Sequence, residues 1–356
     1  MPDAVTASRH RSFVARRATI LLGAVAAVLL VPAPALADPP GPTHYRSSVT
    51  AVEGPDDAAA VIDAEVIGGD AYLTLRVPAG TTVEVPGYDD EPYLRFDANG
   101  TVAVNQRSPA RWLNDARYGA ADVDVPADAD AEAPPAWEVV ASGGEYSWHD
   151  HRIHFMSPGL PPGVDPAVDA AQPVLDWAIP MAVDGQDVEV VGELVWHPGP
   201  SPVWPGLAAA VALLGGIGLA RSGRALVPAL VGAALLSGAL GIATTWSLPT
   251  GADIEPALLV LPGTLLAVLA AAWASRRQHP ARARWLVAAA GIPAVVWGLV
   301  QVGALTRPIV PGPVPVEVVR ASVALVLAAG VAAVIVGARA LLDVTRASDE
   351  VGESSS

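Results

Sequence analysis

From Trp204 onward the chain is made of apolar runs too long and too continuous for the surface of a water-soluble fold. They cover residues 204–220, 225–246, 256–274, 285–305 and 318–342, each close to the ~20 residues a helix needs to cross a hydrocarbon core. Five membrane spans within residues 203–342 are predicted, because in lipid a lone segment can satisfy its own backbone only as a helix. Residues 38–202 hold no run of that length. Apolar residues make up 52% of the 356-residue chain, and their segregation separates a membrane-embedded part from a water-exposed one.

Loop charge then orients the bundle. The connector Arg221-Ser222-Gly223-Arg224 and the one holding Arg276, Arg277, Arg282 and Arg284 are basic, whereas the alternate connectors carry Asp253 with Glu255 and Arg307 with Glu317. Basic loops stay in the cytoplasm. Residues 38–202 are therefore expected outside the cell, and residues 343–356 inside as a disordered tail. Residues 1–37 agree: a basic segment with Arg9, Arg11, Arg16 and Arg17, an apolar run over 18–31, and Ala35-Leu36-Ala37 as a small-x-small cleavage site make a secretory signal peptide. Arg320, expected to snorkel, and Gln301 are the main polar groups at membrane depth. An ion path normally needs acidic or histidine residues there, so the bundle reads as an anchor or a partner surface.

The chain has no cysteine, which excludes disulfides, thiolate zinc sites, iron–sulfur clusters and cysteine nucleophiles. All 21 basic residues are arginine, which with abundant Ala, Val, Gly and Pro suggests a GC-rich bacterial genome. Residues 38–202 carry 28 acidic and 7 basic side chains. Such a field repels nucleic acid and anionic headgroups and gathers cations diffusely.

The pattern in this region is β. Runs at 61–67 and 71–77 meet at Gly68-Gly69-Asp70, and 93–96 meets 101–105 across Asp97-Ala98-Asn99-Gly100, where Asn-Gly is a hairpin signal. Runs at 137–141 and 145–156 flank Ser142-Gly143-Gly144, and 174–183 and 187–196 flank Asp184-Gly185-Gln186. Ser108-Pro109 looks like the start of one short helix, and 122–135 like an exposed loop. Eight or so strands with short turns predict an all-β domain, an immunoglobulin-like sandwich in first place, ahead of the five-helix transmembrane bundle.

One segment carries chemistry. Trp148-His149-Asp150-His151-Arg152-Ile153-His154-Phe155-Met156 holds three of the seven histidines and one of the three methionines. On a strand, His149 and His151 would face one way, with Trp148, Asp150, Arg152, His154 and Met156 facing the other; a chain leaving the strand near Asp150 would let all four ligands converge. Imidazole with thioether suits copper, shielded by Trp148 through a cation–π contact, while histidine with carboxylate would suit zinc. The expected metal ligands are His149, His151, His154 and Met156, the role being capture or delivery of copper. His44, His197 and Met181 are further candidates that no spacing assigns. The plainer alternative makes the cluster structural and the domain an envelope interaction protein, its partner binding an exposed face of Tyr88, Glu91, Tyr93, Arg95, Arg107, Asn114 and Arg117. Nothing supports an enzyme. A metallo-hydrolase H-x-H-x-D-H pattern would need aspartate where Ile153 stands, a histidine brace would need a mature N-terminal histidine where cleavage exposes Asp38, and G-x-S-x-G, Walker A and dinucleotide loops are missing.

The stretches Pro86-Gly87-Tyr88-Asp89-Asp90-Glu91-Pro92-Tyr93-Leu94-Arg95-Phe96, Asn105-Gln106-Arg107-Ser108-Pro109 and Trp148 to Met156 resemble an actinobacterial family of membrane proteins that carry a secreted β-rich domain. The resemblance covers most of residues 38–197 and extends only loosely into the membrane half. It implies the architecture above and supplies no catalytic residue.

Overall fold

The computed structural model describes residues 41–115, 117–118, 123–222, 224–249, 256–276 and 280–353; the expected signal peptide lies outside them. The first part is a β domain with two sheets. Strands β1 (Tyr45–Glu53), β4 (Val83–Pro86), β5 (Pro92–Phe96), β6 (Thr101–Asn105), β7 (Trp137–Ser142), β9 (Gln172–Val183) and β10 (Gln186–Trp196) form a seven-stranded sheet in the order β1-β10-β9-β4-β5-β6-β7. Strands β2 (Asp63–Ile67), β3 (Tyr72–Arg76) and β8 (Glu145–Trp148) form a second sheet, β2-β3-β8. Every pairing is antiparallel. Two short helices, α1 (Asp56–Ala59) and α2 (Pro109–Leu113), lie in the connections.

The core collects alternate residues of both sheets: Leu73, Leu75 and Trp148 meet Val83, Val85, Leu94, Phe96, Ile179, Val190 and Leu194. β9 and β10 alternate buried and exposed positions along most of their length, as strands with one wet face do. Their hairpin turns on Asp184 at φ 49° and Gly185 at φ 79°, the two left-handed residues of a type I′ turn. The Asn99-Gly100 hairpin forms too, but only Gly100 is left-handed (φ 81°); Asp97 closes the loop by bonding Gly100 N and Thr101 O. The Ser108-Pro109 helix forms as expected. Seven strands beside three, in this order, differ from the four-plus-three immunoglobulin arrangement, because the first strand pairs with the last and β4 joins β5 to β9.

Helices α3 (Val203–Ser222), α4 (Leu226–Trp246), α5 (Pro256–Arg276), α6 (Pro280–Val300, extended by a 3₁₀ turn Gln301–Leu305) and α7 (Val316–Glu353) follow. Among the described residues four stretches are long and apolar enough to cross a membrane: Val203–Ser222, Leu226–Trp246, Ala283–Leu305 and Val316–Ala340. α5 stands at the place of the remaining expected span and packs between α4 and α6. α7 is central, touching α3, α4 and α6; a side chain at Gly291 of α6 would collide with Ala333, and one at Gly298 with Leu327. α7 also stays helical to Glu353, into the segment expected to be a disordered tail.

The β domain is tied to the helices at a second place besides the chain itself. Thr43 and Ile309 exchange backbone hydrogen bonds of 2.9 and 3.2 Å, and Arg307 Nη1 donates to the Pro42 carbonyl at 2.8 Å. Arg320 does not snorkel. It is buried and donates to the Ala304 and Arg307 carbonyls at 2.9 and 3.0 Å, where a cation complements the free carbonyls of a helix C-terminus.

Candidate metal centre

The histidine segment leaves the sheet earlier than a continuous strand would. β8 stops at Trp148 because Asp150 draws the following residues into a cap: its carboxylate accepts from Arg152 N at 3.0 Å and starts the 3₁₀ turn His151–Ile153. The same carboxylate takes Trp148 Nε1 at 2.8 Å and Arg152 Nε and Nη2 at 2.9 and 2.7 Å. Asp150 is fully buried. Burial alone would raise its pKa, but the bonds and charge of Arg152 hold it below the ordinary carboxylate value. Ile153 drops into the core, and His154 resumes an extended backbone at φ −139°, ψ 166°.

This exit folds the three imidazoles onto one another. One ligand atom from each of His149, His151 and His154 lies within 4.8 Å of the other two, and the ring centroids are 4.5 Å (149 to 154), 5.8 Å (149 to 151) and 5.5 Å (151 to 154) apart. His149 and His154 are buried and His151 half-buried. His149 Nδ1 donates to the Ala71 carbonyl at 2.6 Å, which assigns the proton to Nδ1 and leaves the Nε2 lone pair free. His149 Nε2 and both nitrogens of His154 are buried without a hydrogen-bond partner. Each such atom costs about 1–3 kcal/mol of lost hydration.

The surroundings keep His149 and His154 neutral. Burial, opposed by the Ala71 carbonyl and reinforced by His151 and Arg117, lowers His149 to about 4; burial and the charges of His149, Arg117 and His151, weakly opposed by the Phe155 backbone, which lies too poorly placed for a hydrogen bond, lower His154 to about 2. Neutral imidazole is the form that ligates metal. Tyr88 stacks on His151 at 5.6 Å, accepts from its backbone N–H at 2.8 Å and donates to Asn114 Oδ1. Tyr72 meets His149 edge-on at 6.4 Å. Asp70 pairs with Arg117 one residue before the carbonyl that orients His149, so residues 70–72 act as a brace. Three histidines so placed can hold a metal ion, with small ring rotations bringing the nitrogens to the ~3.3 Å separation that metal–nitrogen bonds of about 2.0–2.1 Å imply.

Of the other expected participants, Met156 is 38% exposed, two residues past His154. Trp148 is buried, stacked on Tyr146 at 6.3 Å and bonded to Asp150, so its face is engaged in the core rather than as a lid. His44 donates through Nδ1 to the His197 carbonyl and stacks on Trp196, and Met181 is core. The expected partner face is only partly a surface: Glu91, Tyr93 and Asn114 are buried, while Tyr88, Arg95, Arg107 and Arg117 are half-buried. Glu91 accepts from Ser108 Oγ, Asp89 N and Ala110 N, and Asn114 donates to Tyr93 Oη, so these side chains tie loops together instead. Tyr72, Tyr88 and the Ala71 carbonyl escaped the sequence reading, because they are 61 to 83 positions from the cluster and a backbone acceptor leaves no compositional trace.

No protein-family model, curated protein or solved structure matches the chain, so the site rests on its own geometry.

Proposed function

We propose that the protein is a metal-binding protein of the cell envelope, with its β domain on the extracytoplasmic side and a five-span bundle as its membrane anchor. The ion sits on His149, His151 and His154, and copper is the ion we assign, captured or delivered rather than used in catalysis. The observation that carries this reading is the set of three buried imidazole nitrogens without partners, gathered within one three-histidine cluster. A ligand set of neutral nitrogen donors without thiolate suits copper or zinc and disfavours calcium and magnesium, which take oxygen. Of the two, copper is favoured by affinity order and by the thioether of Met156 two residues beyond His154. The basic connectors and the resemblance to secreted-domain membrane proteins support the outward placement.

The test is titration of the full chain in neutral detergent with Cu(I), Cu(II) and Zn(II) against competing chelators, beside a His149, His151, His154 triple-Ala variant. Wild type should hold one copper per chain, and the variant should lose at least about 100-fold in affinity, as removal of ligands together with their oriented shell does. Equal, weak retention by both proteins would show the cluster to be structural.

A further inference from the structure

The β domain meets the helices around a cavity of ≈ 430 Å³ lined in part by His44, Tyr45, Arg117, Ser157, Trp196 and Arg307. It stands beside the Thr43–Ile309 bridge, just past Leu305, where the apolar stretch Ala283–Leu305 ends. Its charge runs against its surroundings. Residues 38–202 carry 28 acidic side chains against 7 basic, and the larger cavity of ≈ 630 Å³ is rimmed by Glu53, Glu84, Asp90, Asp187 and Glu189. No carboxylate is among the described residues lining the smaller one, which instead brings two arginines together. Arg307 is exposed and spends one N–H on the Pro42 carbonyl; a guanidinium has five donors in a planar fork that matches phosphate oxygens. Arg117 is held in place by the buried Asp70. His44 is fixed by its bond to the His197 carbonyl and its 5.4 Å stack on Trp196. Rings and arginines at the level where apolar helices end are the usual equipment for meeting lipid headgroups.

We propose that this cavity binds a phosphate-bearing anion at the membrane surface, with Arg307 and Arg117 taking the phosphate oxygens and Tyr45 and Trp196 flanking whatever carries the phosphate. A lipid headgroup and free phosphate share that chemistry. The site depends on the membrane reading of the helices and shares Arg117 with the brace of the metal centre, so Arg307, which lies outside that brace, is the residue whose substitution tests it alone.

The experiment uses the full chain in maltoside micelles, which contain no phosphate. Dioleoylphosphatidylglycerol, dioleoylglycerol with the same tails, and inorganic phosphate are titrated separately and in competition, read by native mass spectrometry and thermal midpoint. Retention of the phosphoglyceride but not of dioleoylglycerol is expected. Arg307→Gln should weaken it about tenfold, as loss of a charge-assisted hydrogen bond does, Arg307→Lys should recover part, and Arg224→Gln, at the other end of the bundle, should change nothing. Displacement of the lipid by inorganic phosphate assigns a free phosphate source; failure to displace it assigns the lipid. Equal retention of both glycerides, unchanged binding in Arg307→Gln, or no binding of either phosphate species overturns the proposal. Should Arg307→Gln fail to fold, Arg307→Lys, which keeps the charge but not the planar fork, should read a smaller loss in its place.

Discussion

His149 and His154 lie where a protein ordinarily places leucine, and acid should expose the cost. Their folded pKa values, about 4 and about 2, lie below the ~6.5 of free imidazole. Between those values the unfolded chain binds more protons than the folded one, so stability falls as pH falls. The metal-free protein should hold its full stability above pH ~6.5 and lose on the order of 3 kcal/mol by pH ~4 from His149 alone. Thermal midpoints measured from pH 7 to 4 on wild type and His149→Gln check this, and an unchanged slope in the variant would remove His149 as the source. Copper affinity should accordingly survive acidification well below pH 6.5, later than free imidazoles would allow. Asp150→Asn leaves the half-buried Arg152 without its counter-charge, and denaturant unfolding should report a loss of about 2–3 kcal/mol, below the ~3–5 of a fully buried pair. This scale was only half legible. The histidine spacing announced a cluster, but His-x-His on a strand would have divided it between two faces. What joins the rings is Asp150 acting as a cap and a carbonyl at Ala71, and neither has a periodic signature.

Turns were the readable part of the elements. Asp184-Gly185 and Asn99-Gly100 marked both hairpins, because left-handed backbone is costly for other residues. Gly185→Ala should therefore cost about 1 kcal/mol from conformation alone, since an added Cβ meets nothing within 4 Å; a midpoint shift in the isothermal unfolding curve measures it. β1 and β4 went unread for physical reasons. β1 is an edge strand with mixed burial, Arg46 and Ser48 among its residues, and β4 is only four residues long and ends in Pro86; both owe their form to neighbours supplied by distant parts of the chain. In the helices, Gly291→Leu should drive α6 away from α7 against Ala333. Reduced thermal stability of the detergent-solubilised chain, with the β domain's near-ultraviolet signature unchanged at low temperature, is the expected result.

For the whole molecule, apolar segregation made the division into β domain and helices plain from the sequence alone, since a bilayer admits few alternatives to long apolar helices. Strand order was not legible, because hairpin signals fix only neighbours in sequence, whereas β1 with β10 and β4 with β9 join distant ones. Orientation is tested by reporter fusions: those after Arg224 and Arg284 should behave as cytoplasmic and one near Asp253 as exported, and export after Arg284 would invert the topology.

The bridge between Thr43 and Ile309 gives the β domain a second footing. A body hung from a single thread of chain swivels freely, but one pinned at two points can only rock about the line joining them. Since Thr43 leads directly into β1 and β10 leads towards α3, both pins belong to adjacent strands of one sheet, and a small lateral shift of the turn at Ile309 would be felt as shear along β1 and β10. The histidines follow β8 of the other sheet, but their turn His151–Ile153 packs against β9 and β10, so a shift of the anchor would be felt at the ligand cage through the shared core.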